Sequence, residues 1–178
     1  ALQYSAKHFN APLCVSVEDT DDYVKIHLLN DLNEAQKVTV RYDIFDFSKG
    51  SVFSEEKDMT IDAVRNEEIF TLWPEDIKKK YSLKKTGVLA RLYKDGEEIS
   101  RKTFLFSEEK NLIMPRAKLA KEITAEDGVI KVKVTADKFA RIVCVSSDAT
   151  MEHFSDNYFD LLPGESKTVT MPLVDGID

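Results

Sequence analysis

Lys94-Asp95-Gly96-Glu97 stands between Val88-Leu89-Ala90-Arg91-Leu92-Tyr93 and Ile99–Phe106, and no other feature constrains the fold as tightly. Both central residues of a type I′ turn need positive φ, which Asp tolerates and Gly adopts freely. Asp-Gly between two apolar-rich runs therefore predicts an antiparallel hairpin. The rest of the chain follows the same two-residue period. Val24, Ile26 and Leu28 alternate with Tyr23, Lys25 and His27, as a half-buried strand requires. Val38, Val40 and Tyr42 begin a second strand that runs on into Ile44, Phe45 and Phe47; the parity slips there, which predicts a bulge or a crossing between sheets. Ser48-Lys49-Gly50 is a turn, and Ser51–Ile61 and Glu67–Leu72 are further extended stretches.

Helical signals are few. Pro74-Glu75-Asp76-Ile77-Lys78-Lys79-Lys80-Tyr81 has proline and acids in its first turn and lysines in its last, the order the helix dipole favours, and predicts a short helix. Leu2, Ala6 and Phe9 recur with helical spacing before Pro12. A helix that short is marginal alone in water, since isolated helices below ~12–15 residues rarely hold. This one is expected to be the end of an element that belongs to an upstream domain.

Charged Glu108 to Pro115 reads as a linker, after which Ala117–Ile123, Val129–Ala136, Ala140–Ser146, Tyr158–Leu162 and Ser166–Leu173 alternate again, with turns at Asp127-Gly128 and Pro163-Gly164. Many short strands separated by turn residues argue for antiparallel β-sandwiches. The expected organisation is all-β: residues 1–12 a helical stub, 13–108 a first immunoglobulin-like sandwich, 109–115 a linker, and 116–178 a second, smaller one. About sixty residues is near the lower limit at which a core suffices alone.

Composition narrows the functional classes. The chain has 178 residues, 43% of them apolar and 32% charged, and a formal net charge of −7. That balance disfavours nucleic acid as a partner, because a phosphate backbone needs a basic face. No run approaches the ~20 apolar residues of a membrane span. Cys14 and Cys144 both lie in apolar runs, Leu13-Cys14-Val15 and Ile142-Val143-Cys144-Val145, and are expected to be buried free thiols. Nothing in their spacing or that of His8, His27 and His153 suggests a metal site, a cofactor or a nucleophile pair.

Adjacent acids are plentiful, among them Glu55-Glu56, Glu67-Glu68, Glu97-Glu98 and Glu108-Glu109. Neighbours on a strand point to opposite faces and cannot converge on one bond, so solvated turns and strand ends are expected and no catalytic residue is assigned. Two aromatics remain as candidate sugar or interface contacts. Trp73, before Pro74, is either an exposed platform for a sugar ring or, as flanking Leu72 favours, a partly buried residue that plugs the end of the first sandwich or its interface with an upstream barrel. Tyr158 lies in Phe154-Ser155-Asp156-Asn157-Tyr158-Phe159-Asp160-Leu161-Leu162-Pro163-Gly164-Glu165, where Asp-Asn and Pro-Gly both favour turns. Not all of Tyr158, Phe159, Leu161 and Leu162 can face one side of a strand, so some are expected in the core and others against a neighbouring domain.

Three segments resemble the β-mannosidases of glycoside hydrolase family 2. Ala1-Leu2-Gln3-Tyr4-Ser5-Ala6-Lys7-His8-Phe9-Asn10-Ala11-Pro12 is similar to the helix and exit that close the catalytic (β/α)₈ barrel. The strand-rich middle resembles the immunoglobulin-like domain that follows, and Phe154–Glu165 resembles the motif of the last, small sandwich. The resemblance implies a parent enzyme that cleaves terminal β-mannosides with retention, using two barrel glutamates about 5–5.5 Å apart that lie before the position matching Ala1. It implies that this region is non-catalytic, needs no cofactor, braces its own catalytic barrel, and meets mannose-containing glycans through the parent. Family members act outside the cytoplasm, in periplasm or lysosome. Exo-β-glucosaminidases and endo-β-mannosidases share the layout. A free-standing carbohydrate-binding or cell-surface binding module is the alternative reading.

Overall fold

The computed structural model of the chain describes residues 11–20, 22–147 and 154–173. The expected N-terminal helix around Leu2, Ala6 and Phe9 lies outside the described residues. Twelve strands, one short α-helix and two 3₁₀ turns are present among the described residues. They fall into two compact units. The larger comprises residues 11–46 and 51–114, and the smaller residues 115–173 with the turn Phe47–Gly50.

In the larger unit, β1 (Leu13–Asp19), β2 (Val24–Asn30) and β5 (Arg65–Leu72) form one antiparallel sheet in the order β1-β2-β5. β3 (Gln36–Asp46), β4 (Gly50–Ile61), β6 (Thr86–Lys94) and β7 (Glu97–Leu105) form the other, in the order β4-β3-β6-β7. The alternation places Val24, Ile26 and Leu28 from the first sheet and Val40, Val88, Ala90 and Leu92 from the second at 0% exposure in one apolar cluster. Fully burying a side chain of this kind stabilises by roughly 1.5–3 kcal/mol, so this shared layer is what makes the two sheets a sandwich.

The Asp-Gly hairpin forms as its sequence requires. Asp95 has φ 53° and Gly96 φ 83°, with nothing near the glycine. The same pair of left-handed residues, Asp127 and Gly128, joins β8 (Leu119–Glu126) to β9 (Val129–Ala136) in the smaller unit.

The expected bulge after Tyr42 is absent from the β3–β6 ladder, whose register runs unbroken from Thr39↔Tyr93 to Asp46↔Thr86. The parity slip has another cause: both faces of β3 are covered from Tyr42 to Phe45. Ile44 faces the sandwich core, while Phe45 packs over Gly87 so closely that an added Cβ there would sit 2.7 Å from its ring. Helix α1 is shorter than expected, Pro74–Lys78, and Tyr81 N–H closes its end on the Ile77 carbonyl at 2.8 Å.

The smaller unit has a three-stranded sheet, in the order β12 (Ser166–Pro172), β9 (Val129–Ala136) and β8 (Leu119–Glu126), and a two-stranded sheet of β10 (Ala140–Val143) and β11 (Phe159–Leu161). Val132, Val134, Ala136, Val143, Phe154, Phe159, Leu161, Val169 and Met171 make its core. All eight residues of β8 are exposed. Within this unit Phe47 stacks on Phe139 with ring centroids 5.2 Å apart, and Phe139 N–H donates to the Phe47 carbonyl at 2.8 Å.

The cysteines depart from expectation. Leu13 and Val15 enter the core, as do Val143 and, in part, Val145, so the two-residue period turns the intervening Cys14 and Cys144 the other way. Cys14 is half-buried, and Cys144 is exposed. Burial, with a smaller contribution from Asp31, pushes the Cys14 thiol pKa up.

Candidate functional site

Trp73 lies in the larger unit, at the junction of β5 and α1. Proline at the next position restricts it to extended backbone, observed as φ −103° and ψ 110°. Its carbonyl accepts from Asp76 N–H at 2.9 Å and Ile77 N–H at 3.2 Å, so the short helix fixes it from behind. Its indole meets Tyr23 edge to face, 5.8 Å between centroids and 76° between planes, yet 51% of the residue remains exposed.

Tyr23 is placed by the β1–β2 turn, where its N–H donates to Thr20 Oγ1 and the Thr20 hydroxyl and N–H both donate to its carbonyl. Lys25 Nζ stands 4.8 Å from the centroid of the Tyr23 ring and 2.6 Å from Glu68 Oε2. Thr71 Oγ1 donates to Glu68 Oε1, and His27 lies 2.9 Å from Glu18. Hydrogen bonding to Glu68 raises the Lys25 pKa; the bonds from Lys25 and then Thr71 lower that of Glu68. Aromatic rings thus border the Lys25–Glu68 ion pair.

Tyr158 belongs to the smaller unit and has its own neighbours. Its backbone is left-handed, φ 60°, and its ring is exposed, while Phe154, Phe159, Leu161 and Leu162 are buried. Asn157 accounts for this geometry. Its Oδ1 accepts from Val145 N–H at 2.7 Å and Tyr158 N–H at 3.1 Å, and its Nδ2 donates to the Val145 carbonyl at 2.6 Å. The side-chain amide pairs with Val145 as a neighbouring strand would. Asp156 accepts from Asn157 N–H and from Lys167, and Glu165 Oε2 accepts from Leu162 N–H at 2.9 Å. The polar side chains named here hold the motif's own backbone, Val145 or Lys167 of β12.

Sequence reasoning missed one cluster. Asp43, with a side chain at 0% exposure, accepts from Arg41 at 2.9 and 3.2 Å, from Arg91 at 3.1 Å and from Ser51 at 2.8 Å. Arg41 and Arg91 are direct cross-strand neighbours. The signal was present: an aspartate between Tyr42 and Ile44 in a buried strand needs a paired partner. Hydrogen bonding to Asp43 raises the Arg41 pKa. The cluster borders a broad open groove of about 770 Å³ lined by Thr39, Arg41, Glu56, Asp58 and Tyr93 among others.

The adjacent acids behave as opposite-facing neighbours. Glu55 accepts from the Tyr42 hydroxyl at 2.9 Å, whereas Glu56 approaches Arg41 at 4.0 Å. Glu55-Glu56 and Glu67-Glu68 sit inside β4 and β5 rather than in turns or at strand ends, which departs from the expectation for them. Burial, followed by the bond to Glu55, pushes the Tyr42 hydroxyl pKa up. Among the described residues, no three His, Cys, Asp or Glu side chains are grouped to hold a metal ion, and no helix is long and apolar enough to cross a membrane.

Two antiparallel sandwiches in tandem define an immunoglobulin-like module. The chain belongs to the mannosidase immunoglobulin-like families: residues 22–111 match the Mannosidase Ig/CBM-like domain and residues 114–175 the Ig-fold domain of mannosidases. It is similar in structure to β-D-mannosidase from Dictyoglomus thermophilum (TM-score 0.81, 18% identity, 95% of this chain and 20% of that one). It is also similar to an exo-chitosanase from Amycolatopsis orientalis (TM-score 0.61, 18% identity, 95% of this chain and 24% of that one). The chain therefore spans a quarter or less of either structure. No curated protein matches the sequence. The resemblance drawn from Phe154–Glu165 and the strand-rich middle is borne out at the level of these domains, which belong to proteins of the glycoside hydrolase type.

Proposed function

We propose that this chain is the non-catalytic C-terminal region of a retaining β-mannosidase, whose catalytic domain it braces and whose hydrolysis of terminal β-mannosides takes place elsewhere in the parent. The observation that carries the reading is the order and continuity of the two mannosidase domains, 22–111 followed at once by 114–175. The likeness to a β-D-mannosidase over 95% of this chain supports it. So does the use of Glu55 as a structural partner of Tyr42.

Purified chain is expected to give no turnover of a chromogenic β-mannoside. Turnover that follows the protein through purification would overturn the reading. An exo-β-glucosaminidase parent is the second reading, favoured by the likeness to the exo-chitosanase. Relative rates of the parent enzyme on aryl β-mannoside and aryl β-glucosaminide decide between them. In that parent, Tyr158→Ala is expected to change thermal stability and leave KM alone; a raised KM would give Tyr158 a substrate contact.

A further inference from the structure

Trp73 combines three properties: it is half exposed, its backbone is fixed on both sides, and its ring is braced by a second aromatic. The cost of ordering the group has been met before any ligand arrives, which is what preorganisation means for binding. Around it, Lys25 and Glu68 supply an ammonium donor and a carboxylate acceptor that neutralise each other, with the Thr71 hydroxyl alongside. A site with this balance exerts little net field on a charged ligand. The chain's −7 charge further opposes phosphates and nucleic acid.

The matching ligand is neutral, has one flat apolar face for the indole, and carries donors and acceptors around its rim. A pyranose ring in an oligosaccharide has that form, with axial C–H groups on a face and hydroxyls at the edge. We infer that the Trp73–Tyr23 edge of the larger unit, with Lys25 and Glu68, is a binding site for a neutral oligosaccharide. The site lies within residues 22–111 and would hold a glycan chain beside whatever domain cleaves it. Only the choice of mannose as first probe rests on the function proposed above.

The chain contains one tryptophan, so its intrinsic fluorescence reports on Trp73 alone. Titration of the 178-residue chain with β-1,4-mannotetraose is expected to give a saturable emission change, with Kd on the order of 1 mM. Cellotetraose and tetragalacturonate serve as neutral and acidic comparisons. By calorimetry, Trp73→Ala should raise Kd at least about tenfold, Trp73→Phe should retain part of the affinity, and Glu68→Gln should weaken binding with an unchanged melting temperature. A response to cellotetraose but not mannotetraose supports the site and redirects the sugar. A response to tetragalacturonate alone overturns the neutral-ligand assignment. No saturable response, or undiminished binding by Trp73→Ala, overturns the site. An emission shift that tracks protein concentration instead of sugar marks the edge as a self-association contact and also overturns it. None of these results bears on turnover, so failure here leaves the proposed function standing.

Discussion

The two units reach the same architecture by different means. The larger closes a four-stranded sheet on a three-stranded one, has enough apolar side chains to fill the layer between them, and covers even the outer side of β3 with a salt-bridged aspartate. The smaller has five strands, one of them exposed throughout, and secures its irregular stretch with side-chain hydrogen bonds to backbone. When core area runs short, directional bonds take over the work of fixing the chain's path.

Unfolding of the two units can be followed separately, because the sole tryptophan lies in the larger while circular dichroism sees both. Asp43→Ala should have the largest effect. Removing the carboxylate leaves Arg41 and Arg91 facing each other, and breaking a buried pair costs roughly 3–5 kcal/mol. Arg41 is 35% exposed, so the lower end is expected. The fluorescence transition should fall while the smaller unit's transition stays put; a joint shift would abolish the contrast. Asn157→Ala should do the converse, destabilising the smaller unit by roughly 1–3 kcal/mol through the unpaired Val145 amide and carbonyl. An unchanged transition would mean the core alone holds that loop.

Gly87→Ala tests how tightly the outer side of the larger unit is filled. The new methyl would lie 2.8 Å from Leu105 and 2.9 Å from the Phe104 carbonyl, an overpacking expected to cost roughly 1–3 kcal/mol. The smallest effect should come from Val64, a β-branched residue at φ 53° that is 65% exposed. Val64→Gly relieves a left-handed backbone costing roughly 1–2 kcal/mol, offset by the extra chain entropy of glycine. A slight rise in the fluorescence-detected midpoint is expected, and a fall would mean the side chain contributes packing.

What was legible in the sequence was local or periodic. Asp95-Gly96 and Asp127-Gly128 demand positive φ whatever surrounds them, so their hairpins could be read directly. Strand β9 runs from Val129 to Ala136 as its alternation indicates. The bulge expected after Tyr42 was misread because a period of two cannot distinguish a slipped strand from one covered on both faces. Cys144 is exposed in spite of its apolar neighbours because an apolar run says nothing about which alternate residue points inward. Ile142, left-handed and 55% exposed beside a register shift in the β10–β11 pair, adds an irregularity that no propensity announces. As for the candidate site, Trp73 was singled out, but its exposure depends on where Tyr23 comes to rest, and that is set by a turn fifty residues earlier.

The uncovered strand β8 carries one more consequence, for colloidal behaviour. Leu119, Lys121, Ile123 and Ala125 share the face that continues from Ala136, Val134, Val132 and Ile130 of β9, and β8 is the last strand of its sheet. A free apolar edge of this kind is a template for strand addition by another molecule. The lone ammonium of Lys121 interrupts the row and acts as a gatekeeper. With Lys121→Val, the chain should lose its tolerance of high concentration long before it loses any stability, a liability that light scattering would see and a melting curve would miss.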